Sequence, residues 1–127
     1  MRLMSFALTK AQIRAGTKFV TRRLGWEYLW PGEHVMACEK VMGRRPGEPL
    51  VRIREIIIKN VGREELSLLT RSPDYGHREL VLEGFPQMTP EAFVEFFCRT
   101  HPGCRPEKLL TRIAFDYADG GGALKDP

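Results

Sequence analysis

A chain of 127 residues that is 43% hydrophobic and 28% charged has the size and balance of one globular domain, which excludes a disordered polyelectrolyte and a bundle of membrane spans. The formal net charge of +4 and a sequence pI near 9.2 are a basic bias that suits a polyanionic partner. No apolar run approaches the roughly 20 residues of a transmembrane helix, and Met1-Arg2-Leu3-Met4-Ser5-Phe6 lacks the apolar core and cleavage site of a signal peptide, so a cytoplasmic monomer is expected.

Ser5 to Leu8 is a short apolar stretch. Thr9-Lys10-Ala11-Gln12 follows with the Thr-x-x-Gln spacing that closes a helix N-terminus reciprocally. This predicts a short helix over Lys10 to Ala15, stopped by Gly16, since glycine takes the left-handed position after a helix at no steric cost. β-Branched and aromatic residues from Phe19 predict a strand to about Leu24. The stretch Gly16-Thr17-Lys18-Phe19-Val20-Thr21-Arg22-Arg23 therefore crowds three cations and two hydroxyls at a helix-to-strand junction, and it is the expected functional centre.

Trp26, Tyr28 and Trp30 are spaced by two, so in an extended chain they share one face. They serve either as core or as a platform on which bases stack. Pro31-Gly32 marks a turn. Val35 to Met42 suits a buried strand, and the Pro and Gly content of Gly43 to Pro49 predicts a loop carrying Arg44 and Arg45. Leu50 to Asn60 reads as a long strand whose apolar parity changes between Ile53 and Ile56, which predicts a β-bulge near Arg54-Glu55. The basic clusters at Lys18, Arg22 and Arg23, at Arg44 and Arg45, and at Arg52 and Arg54 make one positive face if these segments adjoin.

Ser72-Pro73-Asp74 is an N-cap, a first-turn proline and an acid that complements the helix dipole. It predicts a helix to Glu83, ahead of Gly84, with Gly76 a weak point inside it. Thr89-Pro90-Glu91 repeats the signal for a helix with Phe93, Phe96 and Phe97 on one core-facing side. Beyond Pro102-Gly103, Thr111, Ile113, Phe115 and Tyr117 alternate with polar residues in a half-buried strand. Residues 118–127 are glycine-rich and read as a fraying tail. The whole is an α+β domain on a compact, mostly antiparallel sheet or small barrel, flanked by about three helices.

The usual enzyme templates are absent: there is no phosphate loop, nucleophile-elbow or metal motif. Cys38, Cys98 and Cys104 lack Cys-x-x-Cys spacing and read as reduced thiols. His34, His77 and His101 are scattered without ligand spacing, so neither metal nor cofactor is expected.

Taken together, Ser5-Phe6, the helix ending in Gly16, Gly16-x-Lys18-x-x-Thr21-x-Arg23, Pro31-Gly32-Glu33, Glu83-Gly84-Phe85 and the Thr89-Pro90-Glu91 helix resemble an ASCH domain, a branch of the PUA-like β-barrels. The resemblance runs from about Met4 to Tyr117. It implies a small barrel with a cleft lined by the Lys18 strand and by residues before the Thr89 helix, and a role in binding RNA or nucleotide-like ligands. Some members act as ribonucleases, and a subgroup hydrolyses the N4-acyl amide of acylated cytidines with a lysine, a threonine and a glutamate. Lys18 and Thr21 match the first two. Glu83 matches the third by position, with Glu79 as the other candidate.

On this reading Lys18, Arg22, Arg23, Arg44 and Arg45 meet phosphate and Trp26 stacks on a base. Lys18 is either a phosphate-facing cation or a desolvated amine able to take a proton. In a regular strand residues 18 and 21 point to opposite faces, so both reach one cleft only if the chain bends between them. A binding module, an amidohydrolase or ribonuclease, and a protein-interaction module are the function classes left open.

Overall fold

The computed structural model describes residues 1–122. Its elements run β1 (Arg2–Ser5), α1 (Lys10–Ala15), β2 (Val20–Arg23), β3 (His34–Cys38), β4 (Arg52–Glu65), α2 (Leu68–Arg71), α3 (Pro73–Glu83), α4 (Pro90–Thr100) and β5 (Leu109–Tyr117). The strands form one five-stranded sheet in the order β1-β3-β4-β5-β2. The β1–β3 pairing is parallel and the other three are antiparallel. The sheet curls into a half-barrel with the helices against it, an α+β architecture.

β4 is the spine, pairing with β3 over its first half and β5 over its second. It is 14 residues long and bends at two register shifts. The first skips Ile53, one residue before the expected bulge: Glu55 and Arg54 stay in register with Met36 and Ala37. The second skips Lys59, so that Ile58 faces Phe115 and Val61 faces Ile113. Each extra residue restores the inward face that a strict period of two would lose. Ile53, Ile56, Ile58 and Val61 therefore all meet the half-barrel core of Met4, Phe6, Ile13, Val35, Phe115 and Tyr117.

A second core lies among the helices: Leu66, Leu69, Leu80, Phe93, Phe97 and Leu110. Thr89 caps α4 as its sequence predicts, its hydroxyl accepting from the Ala92 N–H at 3.1 Å. α3 has the expected bounds. α2 is a fourth helix beyond the three expected; it is a single turn whose Leu69 is fully buried. Gly76 sits where α3 crosses α2, and a Cβ there would lie 2.1 Å from the Leu69 carbonyl oxygen and 2.9 Å from Pro90. Gly76→Ala should therefore destabilise the fold by about 1–3 kcal/mol through forced overpacking, read as a lower urea midpoint, despite alanine's better helix propensity.

Two expectations are corrected. Thr9 and Gln12 form no capping box: the Thr9 side chain makes no cap hydrogen bond, and Gln12 Nε2 donates across the fold to the Gly84 carbonyl at 3.1 Å. The Trp26–Trp30 segment is not extended. Gly25 and Trp26 both have positive φ, 78° and 57°, which turns the chain so that Leu29 is buried while Tyr28 and Trp30 are exposed. Arg2 fills the space between, 5.5 Å from the Trp26 ring and 5.8 Å from that of Trp30.

At the other end, residues 118–122 turn back and Asp119 meets Arg54 at 2.6 Å; the rest of the expected tail lies outside the described residues. No helix among the described residues is long and apolar enough to cross a membrane.

Candidate functional site: a cleft between two cores

The Lys18 stretch is positioned from both sides. Gly16 ends α1 with φ 71°, its N–H directed at the Gln12 and Ile13 carbonyls. The next residues stay outside the ladder, because β2 begins only at Val20. Instead, the Phe19 N–H donates to the Leu82 carbonyl at 2.7 Å and the Tyr117 hydroxyl donates to the Lys18 carbonyl at 2.6 Å. This removes the parity conflict. Lys18 and Thr21 line the same cleft because Lys18 precedes the strand.

The cleft opens between the half-barrel core and the helical core and encloses about 210 Å³. Phe6 forms its barrel side. Phe85, Phe93, Phe96 and Phe97 form its helical side, and Lys18, Thr21, Arg23 and Glu83 supply the polar groups. At the rim the His101 ring stacks on Phe97 with centroids 3.9 Å apart.

Behind the cleft lies a buried ion network. Lys18 Nζ, on a side chain only 3% exposed, donates to the Glu83 carbonyl at 2.7 Å and to Glu83 Oε1 at 3.0 Å. Arg22, 1% exposed, reaches Glu83 Oε2 at 3.0 Å and both Glu64 and Glu79 at 2.6 Å. Arg112 closes the far side with two bonds to Glu79, at 2.6 and 3.0 Å. Tyr75 bridges Arg22 and Glu64.

Burial pulls the Lys18 ammonium below its ordinary pKa, with Glu83 restraining the fall and Arg23 and Arg22 adding to it. Arg22 is also desolvated, yet Glu83, Glu64 and Glu79 together hold it above the ordinary arginine value. Burial would raise the Glu79 carboxyl, but Arg112 and Arg22 outweigh it and hold the group below the ordinary value. These directions follow from the rule that desolvation opposes charge and a close opposite charge supports it.

No family model matches the sequence, and no curated protein does. Solved structures share the fold, among them the following two. One is an ASCH domain from Lactobacillus crispatus JV V101, matched at 18% identity over 91% of this chain and 78% of that one, with a TM-score of 0.54. The other is protein EF3133 from Enterococcus faecalis V583, described by the family model DUF984, matched at 12% identity over 100% of this chain and 85% of that one, with a TM-score of 0.61. The chain has an ASCH domain fold.

Within this ASCH fold the expected site residues separate into two groups. Lys18, Thr21, Arg22, Arg23 and Glu83 come together at the cleft. Glu83, not Glu79, is the carboxylate beside Lys18, since Glu79 is engaged by Arg22 and Arg112. Trp26, Arg44 and Arg45 are not among the lining residues. Trp26 rests on the half-barrel core. Arg44 and Arg45 belong to the exposed 43–49 loop, where the Arg44 Nε donates to the Val41 carbonyl at 3.1 Å and the Arg45 N–H to Glu48 at 2.9 Å.

Of the aromatic groups that line the cleft, Phe85, Phe96 and His101 are the partly exposed ones, while Phe6, Phe93 and Phe97 are buried. Phe85 is signalled by the Glu83-Gly84-Phe85 motif and His101 by its place one turn beyond Phe97, whereas Phe96, expected on the core-facing side with Phe93 and Phe97, is only half-buried and lines the cleft. Among the described residues no group of histidine, cysteine and acidic side chains could hold a metal.

The chemistry open to this arrangement follows from which donors are used. Lys18 has three N–H donors and spends two on Glu83. Thr21 accepts from Arg23 Nε at 3.1 Å, so its own proton is free for a ligand. Both oxygens of Glu83 hold cations, which makes it an orienting group for Lys18.

Proposed function

We propose that the cleft binds one nucleobase-like ring, as a free nucleoside or nucleotide or as an unstacked base of single-stranded RNA. The observation that carries this is a small cleft whose lining joins the rings of Phe85, Phe96 and His101 to the hydrogen-bonding groups of Lys18 and Thr21. Its volume of about 210 Å³ is below the roughly 300–1,000 Å³ of a drug-sized site, so it takes a single ring and not a duplex. Bases bind such sites by stacking on aromatic faces and by hydrogen bonds to their edges. The ASCH resemblance, which implies RNA or nucleotide-like ligands, points the same way.

Calorimetric titration with the four ribonucleosides, their nucleotides and short single-stranded RNAs tests this. At least one should bind, and Phe85→Leu or Phe96→Ala should weaken it by about tenfold, in line with the 1–3 kcal/mol of one base–aromatic stack. No heat from any of them, with or without added salt, would remove the reading.

A second reading is favoured by one observation: a desolvated Lys18 amine lies 3.0 Å from Glu83 in the cleft that also holds Thr21. In an N-acylated cytosine, Thr21 Oγ would attack the acyl carbon while neutral Lys18 takes the hydroxyl proton. The exocyclic amine would leave with that proton, and water would then release the acid from Thr21. Chromatography of N4-acylcytidines incubated with the protein should show deacylation lost in Thr21→Val and Lys18→Met. Unchanged substrates would leave binding alone, and turnover that survives Thr21→Val would remove Thr21 as the nucleophile; cleavage of short RNAs incubated in the same way would indicate a ribonuclease.

A further inference from the structure

The charges at the cleft do not cancel, and the remainder is on Arg23. Lys18, Arg22 and Arg112 are matched by Glu64, Glu79 and Glu83 through the ion pairs described above. Among the described residues no carboxylate makes an ion pair with Arg23. Its guanidinium is nevertheless half-buried, lying 4.6 Å over the Phe6 ring and held at Nε by the Thr21 hydroxyl at 3.1 Å. Burial lowers its pKa to about 10, a fall that the more distant Glu83 only partly resists.

A desolvated charge without a counter-ion is costly, and natural sites retain one when a ligand supplies the partner. The two Nη atoms are the free edge of the group. No fully buried side-chain nitrogen or oxygen lacks a partner among the described residues, and Arg23 lines the cleft, so that edge is open to it.

We infer that the ligand of this cleft carries an oxyanion, a phosphate monoester or a carboxylate, which Arg23 holds through its Nη edge while the attached ring meets Phe85 and Phe96. This rests on the nucleobase reading above and adds a charge to it. The guanidinium is fixed in plane by Phe6 and at one corner by Thr21, leaving the fork that matches two oxygens at once. A neutral nucleoside leaves that fork unmatched. The site accordingly selects nucleotides over nucleosides, or ring carboxylates over the parent ring.

Paired titrations test this: uridine against uridine 5′-monophosphate, and uracil against uracil-6-carboxylate. The charged member of at least one pair should bind ten or more times more tightly at low salt, and which pair responds tells phosphate from carboxylate. Arg23→Gln should abolish the preference, so that the charged and neutral members of the pair bind the variant alike. Arg23→Lys should keep part of the preference, since the charge remains without the fork. The ligand-free Arg23→Gln protein should melt no lower than the parent, because the substitution removes a half-buried cation that no carboxylate matches; this also shows that the variant folds.

Equal binding of neutral and charged members, or a preference that survives Arg23→Gln, overturns the inference and leaves the nucleobase reading standing. Inorganic phosphate or benzoate raising the melting temperature in an Arg23-dependent way, with no nucleoside or nucleotide bound, leaves the oxyanion site and removes the nucleobase. No response to any of these probes overturns both.

Discussion

Glu83→Ala should lower the unfolding free energy by about 3–5 kcal/mol, the usual cost of removing one partner from a buried pair. Two cations lose an oxygen at once: Lys18 at 3.0 Å and Arg22 at 3.0 Å. Lys18 suffers more, because Arg22 keeps Glu64 and Glu79 whereas the one remaining acceptor of Lys18 is the backbone carbonyl of residue 83. With Glu83 gone, desolvation of the ammonium is unopposed, and Arg23 and Arg22 push in the same direction.

The sign of the pH dependence follows. A lysine whose folded pKa is depressed is destabilising while it is charged, and that penalty is relieved as the pH rises through the folded value toward the unfolded one near 10.4. Burial already depresses Lys18 in the parent, and the variant depresses it further. The gap between parent and variant should therefore narrow as the pH is raised toward the unfolded value, measured by urea unfolding. Lys18→Met combined with Glu83→Leu should cost less than Glu83→Ala alone, since no charge is then left stranded. A loss below 1 kcal/mol with no pH dependence would mean that water reaches the pair in solution.

The legible parts of this fold are those whose cause is local. Gly16 and Gly84 end their helices with φ 71° and 92°, and Pro73 and Thr89-Pro90 start theirs, because caps and breakers act within a turn of chain, although the Ser72 side chain makes no cap hydrogen bond. The parity change in β4 announced a bulge, but its position depends on the partner strand and fell at Ile53. The single turn of α2 carries no cap of its own and exists because Leu69 is drawn into the helical core.

Thr9-x-x-Gln12 failed for the same kind of reason. A carbonyl at Gly84, 72 residues along the chain, took the glutamine. The aromatic trio at Trp26–Trp30 was misread because the left-handed bend at Gly25 and Trp26 has no signature in a non-glycine residue.

The site was legible in part. Lys18, Thr21 and Arg23 stand out because a short sequence motif places them. Glu83 was found from its place before Gly84, while the choice between it and Glu79 waited on the geometry. Arg22 shows the limit most clearly. The sequence displays its charge and not its partners, which lie 42, 57 and 61 residues away in Glu64, Glu79 and Glu83. An arginine expected to meet phosphate is the centre of an internal network instead.

That position makes Arg22→Met the other large effect. The side chain joins β2 to β4 through Glu64 and to α3 through Glu79 and Glu83. Methionine fills much of the space and supplies none of the charge, so three carboxylates lose their shared cation. Each keeps one other partner: Tyr75, Arg112 and Lys18 respectively. The expected loss at pH 7.5 is about 3–5 kcal/mol.

In the parent, the depressed pKa of Glu79 contributes stability that is present above the unfolded value near 4.3 and is lost as the pH falls through the folded one. Without Arg22, the effect of burial on Glu79 is opposed by Arg112 alone, and protonating a carboxyl in the network relieves charge repulsion. The variant should therefore lose less stability than the parent between pH 7.5 and pH 4.5, and the two urea midpoints should converge. Arg22→Lys should recover less than half of the loss, because one ammonium cannot reach three carboxylates that a planar fork spans. Parallel pH profiles for parent and Arg22→Met would show that these acids are solvated, and with them the buried network that holds Glu83 against Lys18 would fall.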